Sequence, residues 1–401
     1  MDSKFLIDVE SIYGACNYDP IDVVIHKAKG IWVWDVEGNK YLDFLSAYSS
    51  VNMGHCHPSV VKALIDQAKL LTITSRAFRN DQWPLFAKEI CDLTDCEMVL
   101  AMNSGAEAVE TALKAARMWG YRKKGIPKDK AEIIVCSNNF HGRTITIIGF
   151  TSEELYRNDF GPFTPGFIEI PYGDAGALEE AITPNTAAFL IEPIQAEGGI
   201  VMPPEGYLRD TKQICEENNV LYIADEIQTG LGRTGKLFAY EHESIKPDVL
   251  VIGKSLGGGC YPISAVLSRR GVLEVFTPGT HGSTFGANPL ACAVARESIR
   301  ILQEEDLIEN SEEQGEYFLK KLKSLKSKHI KEVRGKGLLM GIELASKAGG
   351  ARRFCDELKK EGMLCKDTHK NVIRFSPPLN IKQKDLSWAF KRIKKVFKEM
   401  D

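Results

Sequence analysis

The chain has 401 residues, of which 44% are hydrophobic and 26% are charged, and its formal net charge is -3. This balance is typical of a globular protein with a large core, and it excludes a disordered or collagen-like chain. The length favours two packed lobes over tandem small modules. Because 51 Lys and Arg nearly balance 54 Asp and Glu, no overall field attracts nucleic acid or an anionic membrane, and we expect neither as a partner.

The sequence predicts neither a membrane span nor a targeting segment. No stretch approaches the roughly 18 consecutive apolar residues that a transmembrane helix needs. The opening residues, MDSKFLID, form neither a signal peptide nor an Arg-rich transit peptide. The 10 cysteines are scattered without a CxxC pair. We therefore expect reduced thiols in a cytoplasmic protein and no disulfide framework.

Residues 1–45 are predicted to be a strand-like segment that packs with the C-terminal domain. Two apolar stretches, 30–35 and 40–43, flank the turn sequence Glu37-Gly38-Asn39. Strand-forming residues on both sides of such a turn predict a β-hairpin.

Residues 46–290 are predicted to form a large domain in which buried strands alternate with helices. Five apolar runs are read as parallel strands, at 98–102, 133–136, 189–192, 220–224 and 249–253. After Asn103-Ser104-Gly105, the apolar residues recur at helical spacing. This alternation predicts an α/β fold with helices on both faces of a sheet, and ligands beyond the carboxyl ends of the strands.

Residues 291–401 are predicted to form a smaller α+β domain. A highly charged helical stretch runs from 292 to 328, short strands follow at 331–334 and 338–344, and further helix and strand complete the chain. No internal repeat or low-complexity linker interrupts the sequence.

Three short motifs suggest binding sites that their contexts do not support. GLGRTG at 230–235 fits the dinucleotide pattern GxGxxG, but five residues separate it from the preceding strand, and Asp248 precedes the next strand instead of following it. GKS at 253–255 lacks the first glycine of a phosphate-binding loop. HCHP at 55–58 supplies too few ligands for zinc, so we read it as a turn with packed side chains and predict no metal.

Asp225 and Lys254 are the most informative pair of residues. Each follows an apolar strand, and neighbouring parallel strands would bring the acid and the amine into one cleft. A partly desolvated Lys can condense with an aldehyde. Pyridoxal phosphate chemistry needs such a Lys, together with a carboxylate against the pyridine nitrogen that keeps the ring an electron sink.

A phosphate group would need its own donors. Ser104, Gly105 and Ala106 begin a predicted helix after a strand and offer backbone N–H groups at a positive helix end. Ser283 and Thr284 add two hydroxyl groups. Taken singly, each of these residues also fits an ordinary role as a cap, a loop hydroxyl or a solvated strand end.

These residues lie in sequence runs that resemble a known family over essentially the whole chain. LYIADEIQTGLGRTG at 221–235, followed by GKSL at 253–256, resembles the signature of the class III (ω-amino acid) pyridoxal phosphate aminotransferases. Similarity to the ornithine-using members of that class is carried by YGACNY at 13–18, FLSAYS at 44–49, NFHGRT at 139–144, EPIQ at 192–195, HGSTFG at 281–286 and VIRFSPP at 372–378.

The resemblance implies a fold-type I transferase with a mostly parallel seven-stranded sheet, and it implies a role for each site residue. Lys254 would attach pyridoxal 5'-phosphate and move the proton, and Asp225 would pair with the pyridine nitrogen. Gln228 would contact the ring hydroxyl and Phe140 would stack on the ring. The backbone of Gly105 and Ala106 would bind the phosphate. Ser283 and Thr284 would reach the phosphate of a partner subunit, which implies a homodimer with shared active sites.

The same resemblance implies transfer of the δ-amino group of L-ornithine to 2-oxoglutarate by a ping-pong mechanism, in proline biosynthesis or arginine catabolism. Arg143 and Arg374 would bind substrate carboxylates, which suit the planar guanidinium. Glu197 would pair with Arg374 while ornithine is bound and release it for 2-oxoglutarate. Tyr18 and Tyr48 would contact the α-amino and α-carboxylate end of ornithine. Alanine at 196 and glycine at 198, around Glu197, depart from the Gly-Glu-Ala-Gly that is usual in the family.

Three alternatives stay open at this point. A sibling enzyme would use N-acetylornithine, 4-aminobutyrate or lysine, and Tyr48 argues against it. A nicotinamide-dependent oxidoreductase would rest on the glycines at 230–235. A catalytically silent binding protein of the same fold is disfavoured by the intact Lys254 and Asp225.

Overall fold

The computed structural model describes residues 2–401, whose 15 strands lie in three sheets. The strands are β1 (Ile25–Lys29), β2 (Trp32–Asp35), β3 (Lys40–Asp43), β4 (Met98–Met102), β5 (Glu132–Cys136), β6 (Phe167–Ile170), β7 (Thr186–Ile191), β8 (Leu221–Asp225), β9 (Val249–Ile252), β10 (Ser264–Ser268), β11 (Ile330–Lys336), β12 (Leu339–Leu344), β13 (Met363–Leu364), β14 (Lys366–Thr368) and β15 (Val372–Phe375).

The largest sheet has seven strands in the order β4-β10-β9-β8-β7-β5-β6. The neighbours from β9 to β6 are parallel, whereas β10 is antiparallel to both β9 and β4. Every residue of β7, β8, β9 and β10 is buried, as expected for strands with helices on both faces. The predicted α/β fold with a mostly parallel seven-stranded sheet is confirmed.

One of the two smaller sheets contains strands from both ends of the chain, and the other contains C-terminal strands only. One has the order β1-β2-β3-β13, and β13 lies parallel to β3, so a C-terminal strand completes the sheet of the N-terminal segment. The predicted hairpin corresponds to β2 and β3, which are antiparallel. The other sheet has the antiparallel order β11-β12-β15-β14.

The α-helices cover the sheets, and their lengths range from single turns to 18 residues. They span Ser3–Tyr13, Pro58–Ala68, Gln82–Thr94, Gly105–Trp119, Ile145–Ile148, Glu154–Arg157, Ala175–Ala181, Tyr207–Glu217, Arg270–Leu273, Pro289–Glu304, Leu307–Lys323, Arg352–Lys360 and Gln383–Met400. A π-helical turn continues at Gly120–Lys124, and 3-10 turns lie at Ala239–Glu243, Lys254–Gly257 and Ser346–Ala348. No helix among residues 2–401 is long and apolar enough to cross a membrane.

The prediction that the whole N-terminal segment is strand-like is wrong for residues 3–13, which form a helix. The Asp2 side chain accepts a hydrogen bond from the Phe5 backbone N–H at 2.9 Å and caps the first turn. Phe5, Val9 and Ile12 recur at the helical period and leave their side chains exposed. Similarly, the charged stretch from 292 to 328 is two helices, because Asp306 adopts a left-handed conformation, with φ of 49°, between them.

One glycine of the GLGRTG motif shows why the motif is not a nucleotide loop. Gly232 has a φ of +88°, and a Cβ atom there would lie 3.0 Å from the Leu379 side chain. The glycine therefore permits a left-handed conformation and close packing against the C-terminal domain, rather than the approach of a phosphate.

Arg233, in the same motif, is a buried guanidinium that connects three parts of the chain. Its Nη1 donates to the carbonyl oxygens of Leu338 at 3.0 Å and Pro377 at 2.6 Å, and its Nη2 donates to Asn52 Oδ1 at 2.5 Å. Burial lowers the pKa of Arg233 to about 9, so the side chain keeps its charge at neutral pH. The loop after β8 is thereby bonded to the segment after β3 and to the C-terminal sheet.

Arg233→Ala should destabilise the protein by about 3 kcal/mol, because buried acceptors would lose a charged donor. Urea unfolding followed by circular dichroism measures the change. The matched control is Arg300→Ala, which removes an exposed guanidinium that pairs along its own helix with Glu297 and Glu304, and it should leave the midpoint nearly unchanged. Equal midpoints for the two variants would contradict the structural role of Arg233.

Candidate active site

A cavity lies where the predicted site residues meet, at the carboxyl ends of β7, β8 and β9. The side chains and backbone around it come from loops that follow five strands of the large sheet. They are Gly105, Ala106, Phe140, His141, Gly142, Glu192, Ile194, Asp225, Ile227, Gln228, Thr229 and Lys254. A second cavity shares Gly105 and Lys254 and extends towards Ala47, Ser50 and Tyr261.

Asp225 is the last residue of β8, as predicted, and its carboxylate is fixed by two hydrogen bonds. Its Oδ2 lies 2.6 Å from His141 Nδ1, and its Oδ1 accepts from the backbone N–H of Ile227 at 3.1 Å. Burial alone would lower the pKa of His141, but the hydrogen bond and charge of Asp225 outweigh it and raise that pKa. The contact therefore favours the protonated form of His141, and Asp225 lines the cavity.

Lys254 follows β9 by two residues and begins a 3-10 turn. Its φ of 43° is left-handed, a conformation that non-glycine residues adopt rarely and often at functional sites. Burial lowers the pKa of Lys254, against the opposing charge of Glu197. A larger fraction of the amine is therefore neutral, which is the form that attacks a carbonyl carbon.

The helix Gly105–Trp119 points its N-terminus at the cavity. Ser104 is its N-cap: the Ser104 hydroxyl accepts from the Glu107 N–H at 3.2 Å, and the Ser104 N–H donates to the Glu107 carboxylate at 2.7 Å. The Ser104 groups are thus engaged in a capping box. Gly105 and Ala106, which lie in a first turn whose backbone N–H groups have no intrahelical acceptors, line the cavity.

Two loop positions shape the wall of the cavity beside this helix. Phe140 donates its backbone N–H to Glu192 Oε1 at 2.8 Å, which fixes the loop after β5. Gly142 has a φ of +134°, and a Cβ atom there would lie 2.9 Å from the Ala106 side chain. The close approach leaves room only for glycine and keeps the loop against the helix N-terminus.

Glu197 and Arg374 form an ion pair at the edge of the cavity. Arg374 lies on β15 of the C-terminal sheet, and only 1% of its side chain is exposed. Gln228 Nε2 also donates to Glu197 Oε1, at 3.2 Å. Burial would raise the pKa of Glu197, but the charge of Arg374, followed by that of Lys254, lowers it. The carboxylate is therefore ionised and balances the buried guanidinium.

Tyr48 and Arg143 lie near this ion pair. The Arg374 guanidinium lies 4.8 Å from the centre of the Tyr48 ring, within the range of a cation–π contact. Arg143 is exposed and stacks its guanidinium 3.6 Å from the centre of the Tyr156 ring. Tyr48 thus contacts the predicted carboxylate-binding residue directly, whereas Arg143 lies at the solvent side.

Tyr18, Ser283 and Thr284 do not line the cavity. The Tyr18 side chain is 77% exposed. The Ser283 hydroxyl accepts from Asn103 Nδ2 and from the Gly286 N–H, each at 3.0 Å, and Thr284 is exposed. The single chain therefore brings together most, but not all, of the predicted site residues.

Two ionisable residues of the cavity, His141 and Glu192, received no role from the sequence. Glu192 directly follows β7, the strand next to β8, so the strand-end argument that identified Asp225 applies to it equally. Burial raises the pKa of Glu192 to about 7, against the charge of His141. His141 had no comparable signal, because its contact with Asp225 joins residues 84 positions apart.

The comparisons with known proteins agree with this geometry. Residues 13–397 match the family model described as aminotransferase class-III. The ornithine aminotransferase of Bacillus subtilis (strain 168) is 57% identical over 396 residues, which cover 99% of this chain and 98% of that relative.

Two solved structures extend the similarity to the whole fold. The ornithine aminotransferase of Toxoplasma gondii has a TM-score of 0.98 and 48% identity, with 99% of this chain and 94% of that chain covered. The acetylornithine aminotransferase of Elizabethkingia anophelis has a TM-score of 0.91 and 46% identity, with 100% of both chains covered. The chain, with its Lys254 and Asp225 placed at neighbouring strand ends, belongs to the class III aminotransferases.

Proposed function

We propose that the protein transfers the δ-amino group of L-ornithine to 2-oxoglutarate, which gives glutamate 5-semialdehyde and glutamate. The observation that carries the proposal is the buried Glu197–Arg374 ion pair beside the ring of Tyr48, at the edge of the cavity that contains Lys254. The names of relatives that are 57% and 48% identical support the choice of ornithine.

The cavity fits pyridoxal 5'-phosphate, which the Toxoplasma gondii structure is described as holding at partial occupancy. The N–H groups of Gly105 and Ala106 suit the phosphate. Gln228 Oε1 is buried and has no hydrogen-bond partner among residues 2–401, so it can accept from the ring hydroxyl. Asp225 would face the pyridine nitrogen and Phe140 would flank the ring. When bound, the cofactor withdraws electrons from the amine-bearing carbon and makes its hydrogen acidic.

Lys254 would hold the cofactor through its Nζ atom and then act as the base. Because burial lowers its pKa, a larger fraction of the amine is neutral and able to act as a base than in an exposed lysine. Once the substrate amine has displaced Lys254, Nζ would take the proton from the δ-carbon of ornithine and deliver it to the cofactor carbon that had carried the aldehyde. The Asp225 carboxylate, held in place by His141, would lie beside the pyridine nitrogen throughout.

The two substrates differ in charge, and the Arg374 site must accept both. Ornithine carries two amines and one carboxylate, whereas 2-oxoglutarate carries two carboxylates. While ornithine is bound, Glu197 neutralises Arg374. When 2-oxoglutarate arrives, Glu197 would move aside so that Arg374 forms a bidentate pair with a substrate carboxylate. Tyr18, Tyr48 and Arg143 would bind the remaining polar ends of the substrates.

The departure from the usual family sequence around Glu197 has a packing explanation. Ala196 is fully buried in a small cluster with Ile194, Ile200 and Leu339. At Gly198, a Cβ atom would lie 3.0 Å from the backbone oxygen of Asn138. The alanine methyl therefore fills space on one side of Glu197, and the glycine avoids a tight contact on the other.

We infer a homodimer with shared active sites. Thr284 and the neighbouring Phe285 are exposed, and 49% of the Phe285 side chain contacts solvent. Thr284, together with Ser283, would reach the phosphate of the partner subunit. Higher oligomers built from such dimers are compatible with this arrangement.

We also infer a cytoplasmic location from the thiols. All ten cysteines are free, including several that are buried in the core. Free thiols throughout a chain of this size are typical of a reducing compartment.

A second candidate function is transfer from N-acetylornithine, because the Elizabethkingia anophelis structure of similar fold is an acetylornithine aminotransferase. Tyr48 favours ornithine. Its half-buried phenol oxygen can accept a hydrogen bond from the α-ammonium group of ornithine, which an acetyl group would neutralise and enlarge.

Mixing the purified holoenzyme with L-ornithine should abolish the visible absorbance of the bound cofactor, and 2-oxoglutarate should restore it. N-acetylornithine and 4-aminobutyrate, in parallel, should act far more slowly. Lys254→Ala is the control: it should bind the cofactor without converting ornithine. Faster loss of the band with N-acetylornithine would replace the proposed substrate with the second candidate.

Tyr48→Ile should shift the preference from ornithine towards 4-aminobutyrate, because the lost phenol would contact the α-amino group, which 4-aminobutyrate lacks. We expect kcat/KM for ornithine to fall by roughly 100-fold, the size of a lost hydrogen bond to a charged group. Steady-state kinetics with both amines measure the shift. An unchanged ratio of the two kcat/KM values would contradict the role of Tyr48.

Glu192→Gln should change the pH dependence of stability. The raised pKa of Glu192 means that the folded protein keeps this proton at pH values where the unfolded chain has lost it, so the stabilisation disappears as pH rises from about 4.5 through about 7. Because Gln cannot ionise, the thermal midpoint of the variant should rise relative to that of the wild type as the pH increases from about 5 to about 8. The difference corresponds to at most about 3 kcal/mol.

The exposed Glu309→Gln variant controls for the loss of one negative charge. A difference between Glu192→Gln and wild type that does not vary with pH would show that Glu192 is ionised across this range, contrary to the prediction.

A further inference from the structure

The segment that carries Tyr48 has an unusual backbone. Four consecutive residues, Ser46–Ser49, have φ values of 50°, 45°, 59° and 69°, and none of them is glycine. Side chains disfavour this left-handed conformation, so a run of four persists only where the surroundings hold it. The direction of the Tyr48 side chain depends on this left-handed turn.

Asp43 holds the start of the left-handed turn. Its Oδ1 accepts from the backbone N–H groups of Leu45 at 2.8 Å and Ser46 at 3.0 Å. Its Oδ2 accepts from His55 Nε2 at 2.7 Å. Asp43 is 6% exposed, so these bonds form away from bulk water and, being charge-assisted, are stronger than neutral ones.

His55 is itself anchored, so it can hold the carboxylate in one orientation. Its backbone N–H donates to the Gly30 carbonyl at 2.7 Å, and its own carbonyl accepts from the Gly30 N–H at 2.9 Å. This residue is the first histidine of the HCHP motif. The second, His57, faces away from Asp43 and pairs with Glu305 at 3.1 Å.

The turn is also bonded to the strand that carries Arg374. The hydroxyl of Ser376 donates to the Leu45 carbonyl at 3.0 Å, and the Ser376 N–H donates to the Phe44 carbonyl at 2.8 Å. The position of Tyr48 over Arg374 is therefore set from both sides, by Asp43 and His55 on one side and by the strand on the other.

We propose that Asp43 and His55 are positioning residues for substrate specificity: they hold the left-handed turn so that the Tyr48 phenol faces the α end of ornithine. This inference rests on the proposed function, because it assigns the choice between amines to Tyr48. Without the His55 donor, the Asp43 carboxylate can rotate away from the Leu45 and Ser46 amides, and the turn can relax towards ordinary right-handed backbone.

The test compares His55→Leu, which removes the donor, with His55→Gln, whose amide NH₂ can replace Nε2–H. The ratio of kcat/KM for ornithine to kcat/KM for 4-aminobutyrate should fall roughly tenfold in His55→Leu, because a loosened turn would lose part of the roughly 100-fold effect expected for the Tyr48 contact. His55→Gln should restore most of the ratio. His57→Leu, which removes the other histidine–carboxylate pair of the motif, should match wild type.

A double variant separates positioning from general support of the fold. If His55 acts through Tyr48, His55→Leu should change the ratio little in a Tyr48→Ile background, because the contact that it positions is already gone. A merely structural His55 would lower kcat/KM for both amines alike and leave the ratio intact. That result, or an equal drop of the ratio in both backgrounds, would overturn the proposal.

Hydrogen exchange provides a readout that does not depend on activity. The Ser50 and Val51 N–H groups both donate to the Ser46 carbonyl, at 2.8 and 3.1 Å, and their exchange can be followed in the holoenzyme. Their exchange should be faster in His55→Leu than in His55→Gln or wild type, and equal rates would overturn the role of His55 in holding the turn. Wild-type enzyme that does not prefer ornithine would instead refute the proposed function, while the exchange rates still test the turn.

Discussion

The buried positive charge of Arg374 constrains the rest of the site. A guanidinium of which 1% is exposed cannot be left without a counter-charge, because the desolvation of an unpaired ion costs several kcal/mol. Glu197 supplies that charge from the loop after β7, and the Tyr48 ring covers the guanidinium from the N-terminal side. Any substrate that reaches Arg374 must therefore either leave this pair intact or replace Glu197 with a carboxylate of its own. One residue thus distinguishes a substrate with one carboxylate from a substrate with two.

This arrangement exists only because three separate parts of the chain are held together. Arg374 lies on the C-terminal sheet, Glu197 follows a strand of the large sheet, and Tyr48 follows the N-terminal sheet. The second buried guanidinium, Arg233, bonds these same parts through Asn52, Leu338 and Pro377. None of these partners is a carboxylate, so the charge of Arg233 is stabilised by the dipoles of carbonyl oxygens. Arg374 is paired with a carboxylate, whereas Arg233 is bonded to two backbone carbonyl oxygens and one side-chain amide oxygen.

Sequence reasoning predicted the part of the site that depends on strand ends. Asp225 and Lys254 could be placed together because parallel strands deliver their carboxyl ends to one edge, and Glu192 could have been found in the same way. The Arg374–Glu197 pair joins residues 177 positions apart on different sheets, so only the family resemblance suggested it. The left-handed turn at Ser46–Ser49 could not be predicted from the sequence, because the segment contains no glycine and its conformation depends on hydrogen bonds to Asp43 and on its other neighbours. The helix at 3–13 was missed although Phe5, Val9 and Ile12 follow the helical period.

The acids around the cavity have different tasks because their neighbours differ. Asp225 faces the His141 imidazole and Glu197 faces Arg374, and both carboxylates are paired with a cation. Glu192 accepts a hydrogen bond from the Phe140 backbone N–H. Burial, together with the nearby charge of Asp225, raises the pKa of Glu192 to about 7. Three ionised acids close together would repel one another and would raise the pKa of Lys254, which the chemistry needs to be low. Because its pKa is raised to about 7, Glu192 carries less negative charge near neutral pH than an ordinary carboxylate would, while it still supports the loop of Phe140.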